Sequence, residues 1–301
     1  MKIVMAKAGL VGLVVGSLVG WALASSSGLA WGAEDRGNAA SRQYAAAVAL
    51  QNKGEYALAA DEWSRFLSEN KDDPRRDRAY YYLGICQLKL GKADAARNAF
   101  ETLIDNFAES KNIESAYFFK GLANYIAGQQ GKVEQFDAAA TAFAAFVEKF
   151  PKSERVAEAL FYQGESLYAR QKRAEAAKLY EAALAKSPSE KLVADALYAL
   201  GVAREELNEH PAAAKAYDRF LEQFKEHPLR TEVLMRRGDC DFAAGDFGAA
   251  AQRFAAAAGT EGFALADYAL LRNADALAKS KQWADAAKLY ASLPEKFPKS
   301  V

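Results

Sequence analysis

One spacing recurs along most of the chain: a small residue, an alanine twelve positions later, and an aromatic four positions after that. It reads Ala47-Ala59-Trp63, Gly84-Ala96-Phe100, Gly164-Ala176-Tyr180, Gly201-Ala213-Tyr217, Gly238-Ala250-Phe254 and Ala274-Ala286-Tyr290. A further copy, Gly121-Ala139-Phe143, keeps the last step with six extra residues before it. The alanines fall at 59, 96, 139, 176, 213, 250 and 286, a period of 37 residues in most steps. A period of this length means like units stacked on one another, each too small to bury its own apolar face.

Each unit reads as two helices. Leu160, Phe161, Gly164, Leu167 and Tyr168 lie at helical spacing in a first helix, and Ala176, Leu179, Tyr180 and Ala183 in a second. Glycines such as Gly54, Gly91 and Gly245 mark the turn between them, and Pro151, Pro188, Pro228 and Pro298 punctuate unit ends. A helical glycine costs about 1 kcal/mol against alanine, yet five of the seven units place one at the same position. The expectation is that a neighbouring backbone approaches there, with the alanine as a facing notch and the aromatic plugging the gap between units. The stretch Gly128–Gln135 in the third unit breaks the period and is expected to be a tolerated loop insertion.

The small-alanine-aromatic register with proline at the unit end resembles the tetratricopeptide repeat, over about residues 40–301. The resemblance implies an all-α fold: a right-handed α-solenoid of about seven helix-turn-helix units, near 40–76, 77–113, 114–156, 157–193, 194–230, 231–266 and 267–301. The spacing is longer than that family's usual ~34 residues. The unit ends Phe150-Pro151-Lys152-Ser153 and Phe297-Pro298-Lys299-Ser300, with Phe107 and Phe224, resemble a bacterial envelope subset. That subset includes the outer-membrane assembly lipoprotein and the periplasmic cell-division coordinator of the Tol–Pal system.

The N-terminus is different in kind. Lys2 and Lys7 form a positive head, no charged residue occurs from Ala8 to Ala33, and small residues stand at Ala22/Ala24, Gly28/Ala30 and Ala33. This is the composition of a secretory signal over residues 1–33, with cleavage expected near Ala24, Ala30 or Ala33. An uncleaved membrane anchor is the alternative. Both place the remaining array, residues 34–301, outside the cytoplasm, in the periplasm or cell envelope. At the other end, Phe297-Pro298-Lys299-Ser300 matches a point at which another unit begins, so the chain is also expected to be the front of a longer repeat protein.

Chemistry is sparse. No serine elbow, P-loop or dinucleotide fingerprint is present, so neither catalysis nor a cofactor is expected. With Lys plus Arg and Asp plus Glu both at 39, nothing in the charge balance points to nucleic acid. Cys86 and Cys240 each lie two residues after their unit's glycine, where other units carry Ala49, Ala123, Ser166, Ala203 and Ala276. They read as small packing residues four units apart, too far for a disulfide. His210 and His227 read as solvated loop histidines, and Pro74-Arg75-Arg76-Asp77-Arg78 as a solvated connection.

In tetratricopeptide arrays the first helices line a concave groove, and the resemblance carries that role over position by position. Tyr44, Tyr81, Phe118, Phe161 and Tyr198 stand three residues before the small residue. Tyr125, Tyr168, Glu205 and Phe242 stand four after it, and Glu165 and Asp239 one after it. The lysine and asparagine with which chaperone-binding members grip a terminal carboxylate are missing from these positions, so that mode is not expected. Further acids, Glu158, Asp195, Glu206 and Glu232, gather in the same units. The groove is expected to bind a protein or peptide with basic and apolar residues, unless several of the aromatics are packed between units. The leading function is thus a non-enzymatic interaction scaffold of the cell envelope. Alternatives are the N-terminal structural part of a longer array and an accessory array of an envelope enzyme complex.

Overall fold

The structure is a computed structural model and describes residues 39–186 and 188–298. The signal-like stretch lies outside the described residues. Within them are fourteen α-helices and no strand. They divide into two compact bodies at Ser153/Glu154. The N-terminal body holds α1 (Ala39–Asn52), α2 (Tyr56–Glu69), α3 (Arg76–Lys89), α4 (Ala93–Asn106), α5 (Ile113–Gln129) and α6 (Gln135–Lys149). The C-terminal body holds α7 (Val156–Ala169), α8 (Arg173–Leu184), α9 (Glu190–Glu206), α10 (His210–Gln223), α11 (Arg230–Ala243), α12 (Phe247–Ala258), α13 (Ala266–Lys279) and α14 (Trp283–Lys296). Within each body every helix packs on the next one in sequence, as stacked helix pairs require. In the C-terminal body α7 also touches α9, so successive first helices lie side by side.

The glycine that five repeats share answers to a ring rather than to a backbone. A Cβ built on Gly201 would lie 2.2 Å from Tyr217 Cε1, and one on Gly84 2.5 Å from Phe100 Cζ. Gly121, Gly164 and Gly238 meet Phe143, Tyr180 and Phe254 in the same way. The ring belongs to the second helix of the same repeat, so the expectation of an inter-repeat backbone approach is corrected. The alanine four residues earlier leaves the second helix close enough for the ring to reach the glycine.

Contact between repeats rests on a different pair of residues, five before and two after the small residue. Ala79/Cys86, Ala116/Ala123, Ala196/Ala203, Val233/Cys240 and Ala269/Ala276 are all buried. Ala79 and Cys86 of α3 share a core cluster with Trp63 of α2, and Ala269 and Ala276 of α13 share one with Phe254 of α12. The aromatic is therefore held between its own repeat's small residue and a small pair on the next first helix. Both cysteines are free and buried, and desolvation pushes each thiol up to about 12. They act here as small apolar side chains.

All seven first helices end the same way. A residue with positive φ follows each helix, and the next N–H reaches back five residues, as in Glu55 to Leu50 and Gln282 to Leu277. This is a Schellman stop, for which glycine is favoured. Four turns use glycine, at 54, 91, 131 and 245, whereas Gln171 (φ 65°), Asn208 (φ 59°) and Lys281 (φ 64°) hold the same conformation with a side chain. Left-handed backbone costs a residue with a Cβ about 1–2 kcal/mol, partly offset by glycine's greater loss of entropy on folding. Replacing Gln171 or Lys281 by glycine is therefore expected to raise stability by about 0.5–1 kcal/mol each in urea unfolding, and Asn208 less.

The irregular third repeat is tied to the second by its insertion. The helix α5 has 17 residues where most first helices have 14. From its turn Gln130 Nε2 donates to the Gly91 carbonyl at 2.7 Å, and Lys132 pairs with Asp94. Arg97 of α4 donates to Gln135 at 3.3 Å. The insertion thus staples the third repeat to the turn of the second.

Repeat ends explain the Phe-x-x-Ser pattern. Phe107 packs on Tyr80 and Phe150 on Tyr117, while Ser110 and Ser153 donate to Asp77 and Glu114 at 2.6 Å. His227 takes the serine's place after Phe224. Its Nδ1 accepts the Leu229 N–H at 3.2 Å, as Ser110 Oγ accepts that of Asn112, and its ring stands edge-on to Phe220. Neither histidine is a solvated loop residue: His227 packs and caps, and His210 is the half-buried first residue of α10. Likewise Arg75 is engaged by Asp73 at 2.7 Å and lies over the Tyr44 ring, so the basic connection is partly structural.

Candidate interaction surface

Five of the eleven candidate groove residues are core. Tyr44, Phe118, Tyr125, Phe161 and Tyr198 are buried. Tyr44 meets Trp63 at 4.8 Å, Phe118 meets Phe143 at 5.6 Å, Phe161 meets Tyr180 at 5.8 Å, and Tyr125 meets Phe136 at 5.7 Å. The position three before the small residue is one helical turn from the glycine, so it faces the same ring from the other side. These rings pack within their own repeats rather than between repeats or in an open groove. Tyr81, Glu165, Tyr168, Glu205, Asp239 and Phe242 stay half-buried.

The acids of the C-terminal body are mostly engaged within it. Tyr180 donates to Glu165 at 2.6 Å, Tyr217 to Glu205 at 2.7 Å, and Tyr290 to Asp275 at 2.7 Å. Each is a first-helix carboxylate receiving the hydroxyl of its own repeat's plugging ring. Where that ring is Phe100 or Phe143, the residue after the glycine is Ile85 or Leu122, and where it is Trp63 the indole N–H goes to Gln51 at 3.1 Å. Carboxylate and hydroxyl thus meet in three repeats, with the acid one residue after the small residue in Glu165 and Asp275 and four after it in Glu205.

A network joins three first helices. Arg236 on α11 is buried; its Nε donates to Glu232 at 3.1 Å and its Nη1 to Glu205 of α9 at 3.3 Å. Tyr198 adds a bond to Glu232 at 2.6 Å. Burial opposes the Arg236 charge, yet Tyr198, Tyr217, Glu205 and Glu232 hold its pKa above the usual arginine value. One step along, Arg272 of α13 donates to Asp239 at 3.0 Å and stacks over Phe242 at 4.1 Å. Burial still pushes the Asp239 carboxyl to about 6, with Arg272 pulling the other way.

Two acids remain outside this network. Glu158 of α7 and Asp195 of α9 stand six residues before their repeats' glycines, and among the described residues no side chain donates a hydrogen bond to either. Burial raises both above the ordinary carboxylate range; Arg155 and Lys191 oppose it at Glu158, Lys191 and His227 at Asp195. Among the described residues no group of three metal-ligating side chains occurs, and no helix is long and apolar enough to cross a membrane.

Comparisons with known proteins agree on the architecture. A tetratricopeptide repeat family profile matches residues 44–111, 129–191, 163–228 and 198–259, and a second such profile matches residues 268–300. No curated protein matches the chain. The C-terminal part of a repeat protein from Cytophaga hutchinsonii superposes with a TM-score of 0.66 at 17% identity, over 85% of this chain and 96% of that one. The apo form of RapI gives 0.59 at 13% identity, over 87% of this chain and 77% of that one. PilW, described as a widely conserved type IV pilus biogenesis factor, gives 0.51 at 14% identity, over 72% and 91%. At such identities the likeness is one of fold. The repeat register, the ring-over-glycine packing and profile matches along most of its length make this chain a member of the tetratricopeptide repeat family.

Proposed function

We propose that this chain is a non-enzymatic scaffold of the bacterial cell envelope that holds a protein partner against the first helices of its C-terminal body. Tetratricopeptide repeats are protein-interaction scaffolds, and the positively headed, charge-free stretch of residues 1–33 supports export. The observation that carries the reading of the partner is the pair Glu158 and Asp195. Carboxylates partly removed from water without a hydrogen-bond donor are unfavourable as they stand. A lysine or arginine brought by a partner supplies the missing donor and the opposite charge together. Glu165, Glu205 and Asp239, by contrast, already have donors. Half-buried Tyr168 and Phe242 offer apolar contact nearby in the row. The partner segment is therefore apolar with basic residues spaced to reach α7 and α9.

The test is to recover the partner with the tagged chain from fractionated cells, and then titrate purified partner against the parent and the Glu158→Gln/Asp195→Asn double variant. The variant is expected to bind about tenfold more weakly at low salt, with a flatter salt dependence. Its own unfolding midpoint should not fall, because burial disfavours those charges. Equal affinity would remove the basic-partner reading, and recovery of the mature chain in the cytoplasm would remove the envelope.

A further inference from the structure

The helix α9 starts earlier than its counterparts. The six other first helices begin eight residues before their repeat's small residue, as Val156 does before Gly164 and Arg230 before Gly238. α9 instead begins at Glu190, eleven residues before Gly201. The extra residues, Glu190, Lys191 and Leu192, make nearly one further turn. Ser189 secures that turn, its side chain accepting the Leu192 N–H at 3.4 Å. Lys191 stands four residues before Asp195, so the two share one face of α9. Because α9 lies alongside α7, the Lys191 charge acts on Glu158 of α7 as well as on Asp195. Lys191 is exposed, whereas the two acids are half-buried.

Helix energetics alone do not account for a lysine at this place. It lies in the first turn, where the helix dipole disfavours a cation. It also precedes its acid by four residues, the weaker of the two orders for an ion pair along a helix. Among the described residues, moreover, it gives neither carboxylate a hydrogen bond. The extra turn thus brings a positive charge to the two acids without bonding it to them. We propose that Lys191 is a built-in competitor at the partner surface, holding the place near Glu158 and Asp195 that a basic residue of the partner takes, and swinging into water when the partner binds. This rests on the reading of Glu158 and Asp195 as partner contacts and adds selectivity to it. A free cation or a purely basic chain gains little by exchanging one positive charge for another. A partner that also offers apolar contact and a hydrogen-bond donor gains by the exchange, so the lysine discriminates against the wrong occupants.

The test uses the full chain and, as probe, a short fluorescein-labelled leucine peptide with arginine at every fourth position. Lys191→Met is expected to bind it about three- to fivefold more tightly than the parent at low salt, the range an exposed charge supplies. Lys191→Arg should bind like the parent. The gain should vanish when Lys191→Met is combined with Glu158→Gln/Asp195→Asn, because a competitor acts only through what it competes for. NMR titration of the two carboxyls without peptide is the second readout. Lys191→Met should raise both midpoints, since a cation that favoured the charged forms is gone. Equal affinity of Lys191→Met and the parent, with the acid variant still weaker, overturns the competition and leaves the acidic surface standing. A gain that persists without the acids also overturns it, being repulsion of the peptide from a distance. Unchanged carboxyl titration does so whether or not the peptide binds. Peptide binding that ignores the acids in both backgrounds removes the reading of the surface itself, and the competition with it.

Discussion

Gly201→Ala is expected to destabilise the protein by about 2–3 kcal/mol, although alanine is the better helix former by about 1 kcal/mol. The added methyl would stand 2.2, 2.6 and 2.7 Å from three carbons of the Tyr217 ring, well inside contact distance. The ring has nowhere to go: it is wholly buried and its hydroxyl is held by Glu205 at 2.7 Å. Relief must come from moving α10 away from α9, which also loosens the seat of α11, and overpacking of this kind costs about 1–3 kcal/mol or more. Gly238→Ala is the internal control. There the nearest ring atom is at 3.0 Å, and Phe254 has no hydroxyl to hold it. The small shift and the gain in propensity should cancel to within about 1 kcal/mol. Urea unfolding of the two variants beside the parent reads the difference directly. Equal destabilisation of both would show that the glycine answers to backbone spacing rather than to the ring. Ala47 opposite the buried Trp63 shows that an alanine fits when a repeat is built around it from the start.

Much of this fold was legible before the structure because the repeat is a packing code. A ring over a glycine and a small pair seven apart admit few residue types, so they recur in register and betray the stack. Places where side-chain identity is loosely constrained were not legible. Gln171, Asn208 and Lys281 sit in left-handed turns that four other repeats give to glycine, and nothing in those residues announces it. His227 replaces a capping serine through one acceptor nitrogen, a substitution that only the geometry of the Leu229 N–H reveals. The first-helix row was misjudged for a related reason. Position on a helix says which residues share a face, but whether that face meets solvent depends on the neighbouring helices. Phe161 and Tyr198 were thereby given to a partner and belong to the core. The acids were visible as a set, yet their division into those held by tyrosines and arginines and the pair Glu158 and Asp195 required distances. Arg236, on which Glu205 and Glu232 converge, carried no mark in the sequence.

Arg236→Met is the second large effect, expected at about 3–5 kcal/mol. The side chain it replaces is buried and gives donors to Glu232 at 3.1 Å and to both oxygens of Glu205 at 3.3 and 3.4 Å. Methionine approximates its length, so lost packing is minor. What remains is two carboxylates with only the Tyr198 and Tyr217 hydroxyls as donors, inside a part of the body from which water is largely excluded. Breaking a buried ion pair by removing one partner typically costs this much, because the other charge is left uncompensated. Removing the whole set is a different matter. The triple variant Glu205→Gln/Glu232→Gln/Arg236→Met keeps acceptors for both tyrosines and leaves no stranded charge. It should recover to within about 1–2 kcal/mol of the parent, since neutral replacement of a complete buried network is often tolerated. The measurement is a thermodynamic cycle over the single, double and triple variants by urea unfolding. Hydrogen exchange in α9 and α11 serves as the local readout. A triple variant no more stable than Arg236→Met would mean that the arginine acts through packing, and that the network joining these first helices contributes little to holding the body together.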